Sequence, residues 1–337
     1  MTGGGGEKLP VGKLPQDTLK KIVLRHLGAH RDDILLKPRV GEDAGAVRAG
    51  GRVYILSIDP ITGSREMVGW LAVHASANDV AVCGGRPAWF SPTVLLPSGS
   101  TEEDVADVVR QIDRAAKSLG VGVVTGHSEI APYTSSPIVI GHMMGPLLGG
   151  RLITSSNAKV GDWIVMTKSA AMEGTAILAS DFEDILRRKG VGESDIATAR
   201  RYFRKISVVA EALYLTRNGR VNAMHDATEG GVLGGLYELA EASGTGFRVM
   251  ADEIPVTPVT ARICRALEID PLRLVSSGAL LASVPRLDVR LLRRVRAKPI
   301  GKIVHRRHGR LVIGRDGVRE LDEPVQDHLW KIIERKI

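Results

Sequence analysis

Acidic residues recur in this sequence at points where a run of apolar, strand-forming residues ends in a turn. The residues at such points are Glu42 and Asp43 in VGEDAGAV, Asp59 in SID, Asn78 and Asp79 in SANDVAVCGG, His127 and Glu129 after VGVVTG, and Asp226 in NAMHD, which precedes Thr228 and Glu229. Hard cations such as Mg²⁺ prefer carboxylate oxygens and usually bridge to phosphates. Each acid alone is also typical of a helix cap or a turn. The spacing is therefore compatible with a Mg²⁺–phosphate site but does not by itself establish one.

The elements that would position these residues follow from the hydrophobic pattern, which alternates between strand and helix periods in two successive sets. In the first set we predict a helix capped by Asp17, a strand at 53–59, a helix at 65–83, a strand at 88–97, a helix capped by Ser100 with Glu103 in the capping box, and strands at 121–126 and 137–145. In the second set we predict strands at 163–167, 221–226, 247–251 and 278–284, and helices within 173–217 and at 229–242, 258–268, 287–297 and 323–335.

This alternation predicts an α/β (α+β) protein of two domains. A mobile, Gly-rich leader is expected at 1–16, an N-terminal domain at 17–156 and a C-terminal domain at 157–337. The helix capped by Asp17 is expected to bury one face, which carries Leu19, Ile22, Val23 and Leu27.

Composition excludes several classes of protein. The chain has 337 residues, of which 44% are hydrophobic and 25% are charged, so wholesale disorder and fibrous structure are excluded. Its apolar runs are too short for a membrane-spanning helix, and the N-terminus lacks the apolar core of a secretory signal. Two cysteines fit a reducing compartment. We therefore expect a cytoplasmic protein, and the scarcity of Asn and Gln favours a thermophilic source.

The positive charge of the chain, +8 overall, is concentrated in residues 286–319, where 12 Lys or Arg face only 2 acidic residues. No aromatic residue interrupts this segment, so a base-stacking platform is not expected. Two interpretations remain open: a solvated basic face, or a surface for RNA or another phosphate-rich ligand.

Four longer motifs resemble the PurM superfamily of aminoimidazole ribonucleotide (AIR) synthetase, which also contains HypE, thiamine-monophosphate kinase and selenophosphate synthetase. The motifs are GEDAGAV (41–47), NDVAVCGGRPAW (78–89), KVGDWIVMTKSAAMEGTAILA (159–179) and HDATEGGVLGGLYELAEASGTG (225–246). The resemblance extends from about Lys13 to Pro299, and within the superfamily the sequence is similar to HypE-like proteins of hydrogenase maturation.

The resemblance implies an N-terminal domain whose sheet pairs with its twin in a homodimer, and ATP bound with Mg²⁺ in the cleft between the domains. The resemblance implies that the metal ligands are Asp43, Asp59 and Asp79. It implies that the residues of the nucleotide site are Lys13, Asn78, Asp79, His127, Glu129 and Thr228. It implies that the catalytic residues are Asp226 and Glu229. For Glu229 a purely structural role at a helix N-terminus is the alternative. His127 departs from the family pattern, which often has an acid there.

The implied function is a Mg·ATP-dependent enzyme that phosphorylates or dehydrates an amide or carbonyl oxygen of a small acceptor. HypE ends in Pro-Arg-Ile-Cys, whereas Cys83 and Cys264 are internal here, so the reaction of HypE on its own terminal thiol is not expected. One alternative is a non-catalytic binding protein that uses the basic segment for RNA or an acidic partner. A kinase of the thiamine-phosphate type is a further alternative, but the G-G-D-T motif expected for such a kinase is missing.

Overall fold

The computed structural model describes residues 8–218 and 220–334. Residues 1–7 of the predicted leader, including Gly3 to Gly6, therefore lie outside the described residues. Within the described ranges, none of the helices combines the length and the apolar character that crossing a membrane requires.

The first domain is built on a mixed sheet of seven strands. These strands are β1 (Ile34–Leu36), β2 (Gly45–Ala49), β3 (Arg52–Ile61), β4 (Trp89–Pro97), β5 (Gly122–Val123), β6 (His127–Ala131) and β7 (Ile138–Pro146). Their order is β1-β2-β3-β7-β4-β5, and β6 also pairs with β4, in parallel. Strand β7 alternates between buried and half-buried residues, because one face of the sheet packs against the helices.

The helices of this domain are α1 (Gln16–Lys21), α2 (Val68–Val82) and α3 (Glu102–Leu119). Helix α2 is apolar on nearly every side and is buried between the sheet and α3, whereas α3 is amphipathic and buries only one stripe. Thr101 and Asp104 form the capping box of α3. The predicted cap at Ser100 and Glu103 is therefore one residue too early, because Thr101, not Ser100, accepts the hydrogen bond from the helix N-terminus.

The second domain repeats this plan with a second seven-stranded sheet, of order β14-β13-β10-β12-β8-β11-β9. Its strands are β8 (Trp163–Thr167), β9 (Ala223–Asp226), β10 (Gly246–Met250), β11 (Leu280–Val284), β12 (Ala297–Val304), β13 (Arg310–Gly314) and β14 (Gly317–Glu320). Its helices are α4 (Met172–Asp181), α5 (Glu183–Arg188), α6 (Glu193–Arg200), α7 (Val209–Asn218), α8 (Gly231–Ser243), α9 (Pro258–Leu267), α10 (Val289–Val295) and α11 (His328–Glu334).

The two domains share one hydrophobic cluster rather than meeting at a polar interface. Side chains of α2, such as Ala77 and Val80, lie in the same buried cluster as Ala212 and Leu215 of α7 and Leu280 of β11. Burial of this apolar area fixes α2 between the domains. The cleft beside α2 is therefore framed by both sheets.

Three predicted elements differ from the structure. Helix α1 begins at Gln16, so the predicted cap Asp17 lies inside its first turn and Pro15 occupies the N-cap. The helix ends at Lys21, a 3₁₀ turn follows it (Val23–Arg25), and the predicted apolar face is left uncovered, with Ile22 58% exposed. The strand predicted at 121–126 shrinks to β5, because the chain turns there and pairs again with β4 as β6. The last helix begins at His328 instead of residue 323, after Asp327, whose carboxylate accepts a hydrogen bond from the amide of Leu329.

Candidate functional site

A cavity of about 890 Å³ lies between the two domains. Its walls come from the N-terminal segment around Lys13, the loops at 39–43 and 58–64, helix α2, the turn at Thr228 and Glu229, and the segment 323–330 before and within α11. The cavity therefore collects most of the acidic residues that the sequence places at strand ends.

Three carboxylates from three different elements meet beside this cavity, and two of them, Asp43 and Asp79, line it. Asp43 comes from the loop before β2, Asp79 from α2, and Asp226 from the end of β9. One oxygen of each lies within 4.8 Å of the others. Asp59, from β3, is close enough to Asp79 for their charges to interact. The four acids are far apart in sequence, and the tertiary fold brings them together.

The electrostatics of this cluster favour binding of a cation. Burial and the charge of Asp59 raise the pKa of Asp79 well above its usual value, and burial and the charge of Asp43 raise the pKa of Asp226 to about 8. Among the described residues, both carboxylate oxygens of Asp226 and Oδ2 of Asp43 are buried without a hydrogen-bond partner. Such oxygens are the ligands that Mg²⁺ prefers, so the residues fit a divalent cation.

His225 is part of the same site, and the sequence analysis missed it. Its Nδ1 lies 2.9 Å from Oδ1 of Asp43, and its Nε2 lies 3.1 Å from Oε2 of Glu238 on α8. Burial opposes the charged imidazolium, but the carboxylates of Asp43 and Glu238 outweigh it and raise the pKa of His225 well above the usual value. His225 is therefore a buried cation, and its contact with Asp43 orients that carboxylate. The sequence signal was its place beside Asp226 in the HDATEGG motif.

Lys13 and Glu229 both line the cavity, in contact with each other. The Lys13 ammonium lies 3.1 Å from Oε1 of Glu238, and the Lys13 amide donates to Oε1 of Glu229 at 2.9 Å. The indole Nε1 of Trp330 donates to the same Glu229 oxygen at 2.8 Å. Gly12 has a φ of +103°, and a Cβ there would lie 2.3 Å from this oxygen, so this close approach requires glycine. Glu229 thus joins the N-terminal segment to α11.

Asn78 and Asp79 are neighbours in sequence but face different partners. The Asn78 side chain is fully buried outside the cavity, where Nδ2 donates to the carbonyl of Ile206 at 2.9 Å and Oδ1 accepts from the amide of Val208 at 2.8 Å. Successive helical residues point about 100° apart, so only Asp79 faces the cleft. The contacts of Asn78 hold the segment that leads into α7.

We expect Asn78→Ala to lower the free energy of unfolding by about 1–3 kcal/mol, because two buried backbone groups lose their partners. Any stabilisation by Mg·ATP, the ligand that the resemblance implies, should remain. Urea unfolding with and without nucleotide measures both effects, and Asn157→Ala, which truncates an exposed amide, is the control. Loss of the nucleotide effect in the Asn78 variant alone would instead place this amide in the nucleotide site.

His127 and Glu129 lie apart from the cavity. Both are exposed on the edge strand β6, where Nε2 of His127 lies 3.2 Å from Oε2 of Glu129. Thr228, in contrast, lines the cavity beside Glu229. In the part of the chain that the structure describes, the fold therefore brings Thr228 to the candidate site and leaves His127 and Glu129 outside it.

Glu173 is a second cavity residue that the sequence analysis missed. It is 5% exposed, it lines the cavity, and its Oε2 accepts a hydrogen bond from the amide of Ser277 at 3.2 Å. The turn before it contains two non-glycine residues in the left-handed region, Lys168 (φ 54°) and Ala171 (φ 57°). Such conformations persist where surrounding contacts enforce them, often at functional sites. The sequence signal was an acid inside the KSAAMEG motif.

Comparison with protein families gives two matches. Residues 41–147 match the N-terminal domain of AIR synthase related proteins, and residues 159–314 match their C-terminal domain. A Methanocaldococcus jannaschii protein named for hydrogenase expression or formation is 28% identical over 301 residues, which are 86% of each chain. Carbamoyl dehydratase HypE of Azotobacter vinelandii is 30% identical over 260 residues, which are 75% of this chain and 73% of that protein.

Solved structures show the same fold. A structure of Escherichia coli HypE superposes with a TM-score of 0.69 at 25% identity, covering 80% of this chain and 85% of that one. A structure titled as a HypE–HypF complex gives a TM-score of 0.74 at 21% identity, covering 91% and 99%. A structure titled as AaThiL complexed with AMPPCP and TMP gives a TM-score of 0.74 at 18% identity, covering 96% of this chain and 100% of that one. At these identities the last two support the fold alone.

Proposed function

The chain belongs to the AIR synthase related protein family and its HypE-like group, and from this premise we propose that it is a Mg·ATP-dependent enzyme. It transfers the γ-phosphoryl group of ATP to an amide or carbonyl oxygen of a small acceptor, or dehydrates the acceptor through that step. Relatives named carbamoyl dehydratase support this class of reaction.

The observation that carries the proposal is the cluster of three carboxylates beside the cavity, in which Oδ2 of Asp43 and both oxygens of Asp226 are buried without hydrogen-bond partners among the described residues. Asp43, Asp79 and Asp226 would hold Mg²⁺, with Asp59 beside Asp79. Mg²⁺ bound there supplies charge neutralisation of the phosphate oxygens. The cavity volume of about 890 Å³ is in the range of small-molecule and cofactor sites.

The other cavity residues would position the two reactants. His225 holds Asp43 in place, and Lys13 offers an ammonium at the cavity wall that can turn from Glu238 toward a phosphate oxygen. Thr228 lies just before α8, whose N-terminus favours an anion. Glu173 offers a buried carboxylate to N–H or O–H groups of the acceptor. Positioning and electrostatics supply most of the catalysis of phosphoryl transfer.

The acceptor is a separate molecule and not one of the two cysteines. Cys83 and Cys264 are both buried. Burial raises the pKa of Cys83 well above its usual value and that of Cys264 to about 12. A thiol reacts as the thiolate, so neither side chain is a nucleophile in this fold.

The protein also forms a homodimer through the first sheet in this proposal. The sheet surface away from α2 exposes Ile58, Val123, Val124 and Ile130, and Tyr133 next to β6 is 99% exposed. Several large apolar side chains exposed on one sheet are a feature of protein interfaces. Sedimentation velocity at micromolar concentration measures this, and a monomer would contradict it.

The test of the enzyme proposal is thermal unfolding with Mg·ATP, with Mg·GTP and with ATP plus chelator. A ligand at about 100 times its Kd adds about 2.7 kcal/mol to the free energy of unfolding. We expect an increase in Tm with Mg·ATP that the chelator abolishes, followed by ADP release in a screen of amide acceptors. An unchanged Tm with every nucleotide would contradict the proposal.

A further inference from the structure

The basic segment 286–319 contains both neutralised and unpaired cations. In the second half, Arg310 pairs with Glu241 at 2.6 Å, and Arg315 and Arg319 lie 3.4 Å and 3.8 Å from acidic side chains. In the first half, Arg290 and Arg293 of α10 have no acidic partner among the described residues, and both are exposed. Further along the segment, Arg306 and Arg307 are also exposed and without an acidic partner in the described ranges, so α10 is one of two places where unpaired positive charge gathers.

Helix α10 lies against α7, and two further arginines, Arg217 of α7 and Arg220 after it, add to the same surface. The Arg294 guanidinium lies 5.7 Å from the centre of the Tyr214 ring on α7. Arg217 follows Tyr214 by three residues, which places both on one side of that helix. Arg220 lies 3.3 Å from Asp288, the N-cap of α10. We call the exposed set Arg217, Arg220, Arg290, Arg293 and Arg294 the arginine patch.

The arginine patch concentrates five guanidinium groups on α10 and the end of α7, where Asp288 is the one acid paired with them among the described residues. Like charges at this density repel one another, and an anion relieves the repulsion. The guanidinium fork donates two parallel hydrogen bonds to a phosphate or a carboxylate, and it is hydrated more weakly than an ammonium group. The patch therefore favours a ligand with several anionic groups at regular spacing.

We propose that the arginine patch binds the phosphate backbone of nucleic acid without reading its sequence. The cores of protein interfaces are depleted in charged residues and enriched in aromatic ones. The aromatic ring in this patch, Tyr214, is half-buried and has Arg294 over it, so neither an aromatic anchor nor a base-stacking surface is available. Phosphate contacts alone supply non-specific affinity, which is electrostatic and depends on salt.

The arginine patch is separate from the candidate active site. None of its five residues lines the cavity between the domains, and α7 contributes to the shared core through its opposite, buried side. Nucleic acid binding should therefore leave the stabilisation by Mg·ATP unchanged. A variant of the arginine patch therefore tests nucleic acid binding independently of the proposed enzyme activity.

The experiment is fluorescence anisotropy of the whole protein with labelled 20-nucleotide single-stranded RNA, single-stranded DNA and duplex DNA. Five phosphate contacts predict that duplex affinity falls about a hundredfold between about 50 mM and about 150 mM salt. The triple variant R290E/R293E/R294E should weaken binding at low salt at least tenfold. Similar affinities for RNA and DNA would identify the shared backbone as the ligand.

The matched control is R110E/R114E/K117E on α3, which changes the net charge by the same amount on an exposed helix of the other domain. An equal loss of binding in both triple variants would overturn the proposal, because net charge alone would then explain the affinity. Absence of binding at low salt would also overturn it, as would tighter binding of polyglutamate than of RNA and DNA. Circular dichroism and the Tm without ligand verify that each variant is folded.

Discussion

The Asp226→Asn variant should be more stable than the wild-type protein without ligand, and Mg·ATP should no longer stabilise it. Both oxygens of Asp226 are buried without partners in the described part of the chain, and Asp43, Asp59 and Asp79 surround it. A neutral amide avoids the free-energy cost of either protonating or ionising a carboxyl group among these acids, and each kcal/mol gained raises Tm by roughly 2–4 °C. Loss of an outer-shell partner of a metal ligand typically lowers metal affinity about 10- to 100-fold. Loss of a ligand itself should weaken Mg·ATP binding at least as much.

The pH dependence of unfolding gives this prediction a second readout. The folded-state pKa of Asp226 is raised to about 8, far above its unfolded value. For a carboxyl group raised in this way, the free energy of unfolding is highest below the unfolded pKa of about 4 and falls as the pH rises through the folded pKa. In chelator, the wild-type protein should therefore lose stability between about pH 4 and about pH 8, and Asp226→Asn should lose less.

Asp316→Asn is the control, because Asp316 is exposed in the turn between β13 and β14. Differential scanning calorimetry in chelator and then with Mg·ATP measures both halves of the prediction. A variant that is less stable than the wild-type protein, or that keeps the full increase in Tm with Mg·ATP, would show that Asp226 is not part of the metal site.

The His225→Leu variant should lose about 3–5 kcal/mol of stability, because removal of one member of a buried ion pair leaves its partners unpaired. His225 lies between Asp43 and Glu238, and 1% of its side chain is exposed. Its pKa is raised in the folded state, so its charge stabilises the fold fully below the unfolded pKa of about 6.5, and this contribution is lost as the pH rises through the folded pKa.

Urea unfolding of His225→Leu, Glu238→Leu and the double variant measures the coupling between the two residues. The double variant should cost clearly less than the two single variants together, because neither charge is then left alone in the interior. His225→Gln, which keeps a hydrogen-bond donor, should lose less than His225→Leu. Additive losses, or a cost below about 1 kcal/mol for His225→Leu, would contradict a charged His225.

The fold was predictable from the sequence to a large extent. The two-domain α+β architecture of the PurM type is confirmed by the two sheets and by the HypE structures with the same fold. Alternation of apolar residues determines which segments become strands and helices, and this pattern is local. Errors appeared where local signals compete, as at Ser100 and Thr101, which are both good N-cap residues one position apart.

The candidate site was predictable only in part. Acids at strand ends are visible in the sequence. The structure brings Asp43, Asp79 and Asp226 together, whereas the resemblance implied Asp43, Asp59 and Asp79 as the metal ligands. The same reasoning grouped Asn78 with them and missed Glu173, because it identifies a residue type and a position along the chain. It does not show the direction in which a side chain points when two domains pack around one helix.

The sequence by itself determined the elements, the family and the acids available for metal binding, because hydrophobic period and motif are properties of consecutive residues. Only the tertiary structure decided that His225 bridges Asp43 and Glu238, and that the arginines of α10 and α7 share one surface. These arrangements depend on contacts between residues far apart in the chain. Burial then sets the charge states at the site, because the cost of removing an ion from water depends on everything packed around it.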